Sequence, residues 1–279
     1  FPSRTQIGFI TFDSSIHFYN LKSTLTVPQM LVVGELEESL LPLPSDLLVN
    51  LHESKVVVKA LLERFAATDG MFANTTNVES ALGAAMNAAG RILGRIGGKL
   101  SIFIANLPTL GPNSLKNRED KSLYGTDSET QLLNPVDNKF KEFALLYCRD
   151  QISVDLYAMA EQQSGSQYLD LASLSALPKF TGGTTEFYNT DATEKLREDI
   201  VRSLTRDQGL EAVMRVRASS GLKISAFYGH LFIRGHDLLA LPNIDSDKAY
   251  GIELQHTGSF VSTPNVSLQV AVLYTSLSG

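Results

Sequence analysis

A single cysteine among 279 residues removes two classes of stabilisation at once, because Cys148 by itself can form neither an internal disulfide nor a cysteine metal cluster. It follows the apolar positions Phe140, Phe143, Ala144 and Tyr147 just before a strand, which reads as a packing role. Positive charge is thin as well. Lys plus Arg is 24 against 30 for Asp plus Glu, a net charge of -6. Nowhere do about four to eight basic residues cluster, so these residues encode no nucleic-acid or anionic-membrane surface. No apolar run reaches the ~20 residues needed to cross a bilayer and no signal peptide opens the chain, so the expectation is a cytosolic protein. The sequons Asn74-Thr75-Thr76 and Asn265-Val266-Ser267 then stay bare. Low-complexity tracts are missing too, and a hydrophobic content of 43% is that of an ordinary globular chain.

Catalytic signatures are equally scarce. Gly94 to Lys99 resembles a phosphate loop only superficially, because the glycines are too close, Leu100 follows the lysine and the order is helix to strand. There is no Gly-x-Ser-x-Gly elbow, no His-Glu-x-x-His and no two-cysteine metal spacing. His17 stands between apolar residues without a second ligand at metal spacing and reads as a structural histidine. His230 and His236 have no common direction in a strand-and-turn context. The chain is not expected to be an enzyme.

What is present centres on the stretch from Asn77 to Asn106. Val78, Leu82, Ala85, Ala89, Ile92 and Ile96 lay one stripe along a helix, with Asn77 as its N-cap and Glu79 near its positive end. Gly97-Gly98 stops that helix, and Leu100 to Ala105 follows as an apolar run of strand length. A strand apolar on both faces belongs inside a sheet covered by helices on both sides, which makes the core α/β. Upstream, Ile7 to Phe12 reads as another such strand, turned by Asp13-Ser14-Ser15 into a returning arm at Ile16 to Tyr19. A short strand at Gln29 to Val33 precedes a proline-rich extended stretch and a helix marked by Val57, Leu61 and Phe65. Thr68 to Asn77 is a loop.

Downstream, Pro108 to Asn138 is a long polar excursion, and its length suggests a surface role. A helix at Phe140 to Tyr147 leads into a third strand, Ile152 to Ala158. Asp170 caps a short helix, Leu171 to Leu177, which Pro178 stops. A strand at Glu186 to Tyr188 and a helix carrying Leu196, Ile200 and Leu204 follow. From Asp207 onward apolar residues fall at every second position, at Met214 and Val216, Leu222 and Ile224, and from Val266 through Tyr274. That period describes half-buried antiparallel strands, divided by turns at Ser219-Ser220-Gly221 and Pro242-Asn243. Two domains are therefore expected, residues 1–206 and 207–279.

Several of these stretches together resemble the cargo-binding subunit of the COPII vesicle coat. They are Ile7 to Tyr19, Asn77 to Gly83, Gly97-Gly98-Lys99, Arg118-Glu119-Asp120, Leu133-Asn134-Pro135, Glu211 to Arg217, Asp237 to Pro242 and Leu273-Tyr274-Thr275. The resemblance implies an α/β trunk of von Willebrand A-like fold, a sheet covered by helices, followed by part of an antiparallel β-sandwich. It also implies that the trunk's first strand, a zinc finger with four zinc-binding cysteines, and further domains lie outside these residues, so no cofactor is expected within them. On that view the strands at Ile7 and Leu100 flank a strand supplied from upstream and do not pair with each other.

Function follows from the resemblance as well. It implies a non-enzymatic adaptor, cytoplasmic and peripheral on the endoplasmic reticulum membrane and its vesicles. Such an adaptor pairs with a sister coat subunit as a heterodimer, reads cargo and SNARE sorting peptides, and binds no nucleic acid. One cargo groove is implied near Tyr168 to Leu177, which nominates Tyr168, Leu171, Leu174 and Leu177. Leucines at 169, 171, 174 and 177 spread over more than one helix face, so at least one should reach a groove or the surface. The competing reading is a metal-dependent A-domain binding module. It would need an Asp-x-Ser-x-Ser run and a downstream Asp, near where Asn106 stands, and the sequence speaks against it.

Overall fold

A computed structural model describes residues 2–38, 40–160, 168–189, 192–258 and 265–277. The chain gathers into two compact units, Phe1–Ile92 with Asn106–Asn117, and Leu93–Ala105 with Arg118–Gly279.

In the first unit, β1 (Gln6–Ile7) pairs antiparallel with β5 (Val49–Asn50), while β2 (Ile10–Phe12), β3 (Ile16–Asn20) and β4 (Gln29–Val33) form an antiparallel sheet in that order. The hairpin expected at Asp13-Ser14-Ser15 is there, closed by the Asp13 carboxylate, which accepts from the Ser15 N–H at 2.8 Å. The single strand expected from Ile7 to Phe12 is instead two short ones. At the break, a Cβ on Gly8 would run into the Leu47 carbonyl, so the backbone passes where only glycine fits. Helix α1 (Lys55–Ala66) buries Val57, Val58 and Leu61 against Tyr19, Leu21 and Val49.

Helix α2 (Leu82–Leu93) starts at the second residue of its apolar stripe, four residues after Val78. Asn77 does not cap it. Its Oδ1 accepts from Glu79 N–H at 3.0 Å and its Nδ2 donates to Ser14 Oγ at 2.9 Å, while Ala81 N–H donates to the Asp13 carbonyl at 2.9 Å. Residues 77–81 are thereby tied to the hairpin turn and stay outside the helix. Val78 and Ile96, the two ends of the stripe, are mostly exposed, whereas Leu82, Ala84, Ala85, Ala88 and Ala89 are buried. The small residues allow close approach, and a Cβ at Gly83 would strike the Pro112 carbonyl. The helix ends at Leu93, earlier than the expected stop at Gly97-Gly98, and the N–H groups of Ile96 and Gly97 close a turn on the Leu93 carbonyl before Gly97 and Gly98 take left-handed φ values of +68° and +128°.

In the second unit, β6 (Gly98–Ile104), β7 (Ile152–Ala160) and β8 (Thr185–Asn189) make a parallel sheet in that order. The strand buried on both faces is β7, with Ile152 through Ala158 all at 2% exposure or less. β6 stands instead at the end of the order. Its Ile102 and Ile104 are buried but Phe103 is 44% exposed, so the apolar run does not mean two covered faces here. β2 bonds to β3 and β6 to β7, so the two strands expected not to pair with each other have these other partners.

Helix α3 (Thr130–Leu133) lies in the polar excursion, and α4 (Lys139–Arg149) and α6 (Ala176–Thr181) pack against β7 and each other. Between them α5 (Leu171–Leu174) begins at Asp170, whose carboxylate accepts from Ser173 N–H. Pro178 does not stop the helix. It sits in the first turn of α6, where its missing N–H costs no helical bond, and the stop comes at Gly182 with φ +74°. Cys148 is buried, and burial pushes its thiol up to about 11, with Arg234 opposing.

After α7 (Thr193–Thr205) come the antiparallel strands β9 (Gln208–Ala218), β10 (Leu222–Tyr228), β11 (Phe232–Ile233), β12 (Leu238–Asp245), β13 (Gly251–His256) and β14 (Leu268–Ser276). They form a four-stranded sheet, β11-β12-β9-β14, and a two-stranded one, β10-β13. Ala212, Met214, Val216, Leu231, Leu239 and Leu241 pack with Ile224, Phe227 and Ile252 as their core. Gly221 turns as expected, with φ +93°, but Pro242 and Asn243 lie inside β12. Pro242 is accommodated opposite Glu211, which takes a φ of +55° next to the register shift between β9 and β14.

Candidate functional site

The polar excursion is ordered around one side chain. Arg118 Nε donates to Asp170 Oδ2 at 3.0 Å and its Nη2 to Asp170 Oδ1 at 2.8 Å, a two-pronged ion pair across 52 residues of sequence. The same guanidinium donates to the carbonyls of Gln131 at 2.8 Å, Leu132 at 3.4 Å and Asn134 at 2.6 Å. All of these bonds run to the protein itself, and the hydrogen bond to Asp170 raises the pKa of Arg118. Asp170 takes a left-handed φ of +45°, and Ser173 Oγ donates to its Oδ2 at 3.0 Å. Ser173 Oγ in turn accepts from Val136 N–H at 3.0 Å. Residues 131–136 and 168–173 are thus fastened together at four side-chain and backbone points.

Tyr168, just before this knot, is half-buried, and burial, then the Asp170 charge, raises its pKa while Arg118 pulls it down. Leu171 is also half-buried. Leu174 and Leu177 are fully buried, and Leu169 is 4% exposed. Of the four residues nominated from sequence, the fold leaves Tyr168 and Leu171 at the surface and places Leu174 and Leu177 in the interior. Leu133 and Val136, on the segment that Arg118 holds, are 73% and 53% exposed.

A second polar cluster lies deeper. Lys99 Nζ meets Asp155 Oδ2 at 2.7 Å and donates to Ser203 Oγ at 2.8 Å, and Asp155 also accepts from Thr184 N–H at 2.9 Å. Burial opposes ionisation of Asp155, but Lys99 and these hydrogen bonds hold its carboxyl below the ordinary range. The Gly183 carbonyl accepts from His230 Nδ1 at 2.7 Å and from Lys248 Nζ at 2.9 Å. Both are structural arrangements, because their polar atoms are satisfied inside the unit and little of them faces solvent. His17 is 6% exposed, with Thr11 Oγ1 3.1 Å from Nδ1 and Ser15 Oγ 3.0 Å from Nε2, as a structural histidine should be. Among the described residues no group of three or more His, Cys, Asp or Glu could hold a metal ion, and no helix is long and apolar enough to cross a membrane.

Sequence reasoning missed the role of Arg118. It stood out only as part of a motif, because no local pattern pairs an arginine with an aspartate 52 residues away. The one local signal was the capping position of Asp170.

Comparison with known proteins places the chain. The family model for the Sec23/Sec24 trunk domain matches residues 1–207, and that for the Sec23/Sec24 beta-sandwich domain matches residues 209–279. The protein transport protein SEC24 A of Arabidopsis thaliana is 44% identical over 99% of this chain and 26% of its own length. Protein transport protein Sec24B of Homo sapiens is 43% identical over 99% of this chain and 22% of its own. The crystal structure of the human COPII-coat protein Sec24c superposes with a TM-score of 0.87 at 33% identity, over 98% of this chain and 36% of that one. The chain thus spans about a quarter of the length of the curated relatives it matches.

Proposed function

The chain belongs to the Sec23/Sec24 family, and from that membership we propose that it is the trunk, residues 1–206, and part of the β-sandwich, residues 207–279, of a COPII coat subunit. In this reading the subunit is a non-enzymatic adaptor. It works in the cytoplasm, peripheral on the endoplasmic reticulum membrane, pairs with its sister coat subunit, and selects cargo and SNARE sorting peptides for export to the Golgi. The observation that carries the reading is the 44% identity to a Sec24 relative across 99% of the chain. Zinc, in this reading, belongs to a zinc finger outside these residues.

The proposed peptide contact lies at Tyr168 and Leu171, the two nominated side chains that solvent reaches. An extended or helical peptide with an apolar anchor suits Leu171, and an acidic residue on the peptide suits basic groups from the rest of the subunit. The test uses the full-length protein in a pull-down against its sister subunit and against a panel of cargo-tail peptides. Leu171→Trp should abolish binding of one peptide class while thermal stability and subunit pairing stay as in the wild type. If the folded variant captures every peptide that the wild type captures, the contact is elsewhere; if the wild type pairs with no sister subunit, the adaptor reading falls.

A further inference from the structure

We propose that Arg118 is a positioning residue for this peptide contact. It holds Tyr168 and Leu171 in their binding geometry without touching the ligand itself; the inference rests on the reading of Tyr168 and Leu171 above. Three observations carry it. First, Nε, Nη1 and Nη2 of the guanidinium are all directed to groups of the protein itself, the Asp170 carboxylate and the carbonyls of Gln131, Leu132 and Asn134. Second, Asp170 sits between Tyr168 and Leu171 with a left-handed φ of +45°, a conformation that a non-glycine residue adopts only when its surroundings hold it there. The groups holding it are Arg118, by two bonds, and Ser173, by Oγ at 3.0 Å and by its N–H at 3.3 Å. Third, the same knot carries Val136 through Ser173 Oγ, so one arginine sets the register between the 131–136 segment and the start of α5.

A residue that acts by fixing a conformation leaves a particular signature. Losing it reduces the fraction of molecules in the competent geometry, and every ligand of the site then weakens by that same fraction. A residue that contacts the ligand would instead weaken the ligands it touches. The two probes are therefore synthetic peptides of one sequence that pair a leucine anchor with either glutamate or glutamine, titrated by fluorescence anisotropy onto the full-length protein in complex with its sister subunit. Arg118→Gln should weaken both peptides by the same factor, about tenfold if the competent population falls tenfold. Arg118→Lys, which keeps the charge but lacks the planar fork, should recover only a small part.

A loss confined to the glutamate peptide would overturn the proposal by making Arg118 a direct contact, and unchanged affinity for both in a folded Arg118→Gln protein would overturn it as well. Should Arg118→Gln fail to fold, Ser173→Ala loosens the same knot from its other side, and equal weakening of both peptides is again required. Failure of the underlying contact looks different. There Leu171→Trp leaves both peptides bound, whereas failure of the Arg118 inference alone leaves Leu171→Trp deficient and the Arg118 variants intact.

Discussion

The two compact units solve the problem of an interior with different materials. In the first, the two core clusters are apolar, built from Ile16, Phe18, Leu47 and the alanines of α2 on one side and Tyr19, Leu21, Val57 and Leu61 on the other, and Asp46, the carboxylate buried there, faces a half-exposed Lys22. In the second, apolar residues share the interior with carboxylates, Asp155, Asp170 and Asp245, each buried and each facing a lysine or arginine. An apolar interior tolerates loss of a methylene in proportion to the cavity left behind. A buried ion pair is different, since removing one partner strands the other in a medium that solvates it poorly. The second unit should therefore be the more fragile to single charge deletions, and the first to changes in volume.

The largest effect is expected at Asp155. Asp155→Ala strands Lys99, whose side chain is 15% exposed, and should cost about 3–5 kcal/mol, read as a shift in urea midpoint. The contrast sharpens if the double variant Lys99→Met with Asp155→Leu recovers most of that loss, because an apolar pair of similar volume avoids the desolvation penalty. Hydrogen exchange should show the single variant loosening β6 to β8 more than β3 or α1; equal loosening everywhere would dissolve the distinction between the units.

A smaller loss is expected from volume in the first unit. Gly83→Ala drives a Cβ into the Pro112 carbonyl and should cost about 1–3 kcal/mol, with α2 shifting to relieve the clash. Gly34→Ala is the control for the added methyl alone, because nothing lies within 4 Å of the added atom and its backbone has no left-handed φ, so it should cost far less.

The smallest effect separates the units by pH. Burial lowers the pKa of His17 below its usual 6.5, with Asp13 opposing, so the unfolded chain takes up a proton that the folded one refuses. Stability of the first unit is then full above about pH 6.5 and declines as pH falls from there toward the folded value. Asp155 behaves in the lower window. Its folded pKa lies below the ordinary 3.8, so its contribution is present above about pH 4 and is lost as pH falls through the folded value. Melting curves between pH 7 and 5 should show a slope that His17→Gln removes and Asp155→Asn leaves in place.

Periodicity made most elements legible, and it failed where a long-range contact outbid the local pattern. Gln29 to Val33, the hairpin at Asp13, the left-handed glycines at 97 and 98 and the β-rich tail all follow from residues a few places apart. The start of α2 does not, because Asn77 and Ala81 satisfy their polar groups on the hairpin turn of another segment. Pro242 was misread because a proline signals a turn locally, whereas its tolerance inside β12 depends on the strand facing it. At the candidate site the leucines were visible and their directions were not. Leu171 and Leu174 are three residues, nearly one helical turn, apart, and only the packing of α5 and α6 in the second unit decides which is buried.

By itself, then, the sequence determined the α/β start, the antiparallel end, the single inert thiol and the family, because short-range periodicity and long motifs are properties of the chain alone. The tertiary structure decided that β7 and not β6 is the fully covered strand, and that Asp170 answers to Arg118. Burial and ion pairing depend on which distant residues meet, and a pattern that repeats every two or every three to four residues carries no information about that.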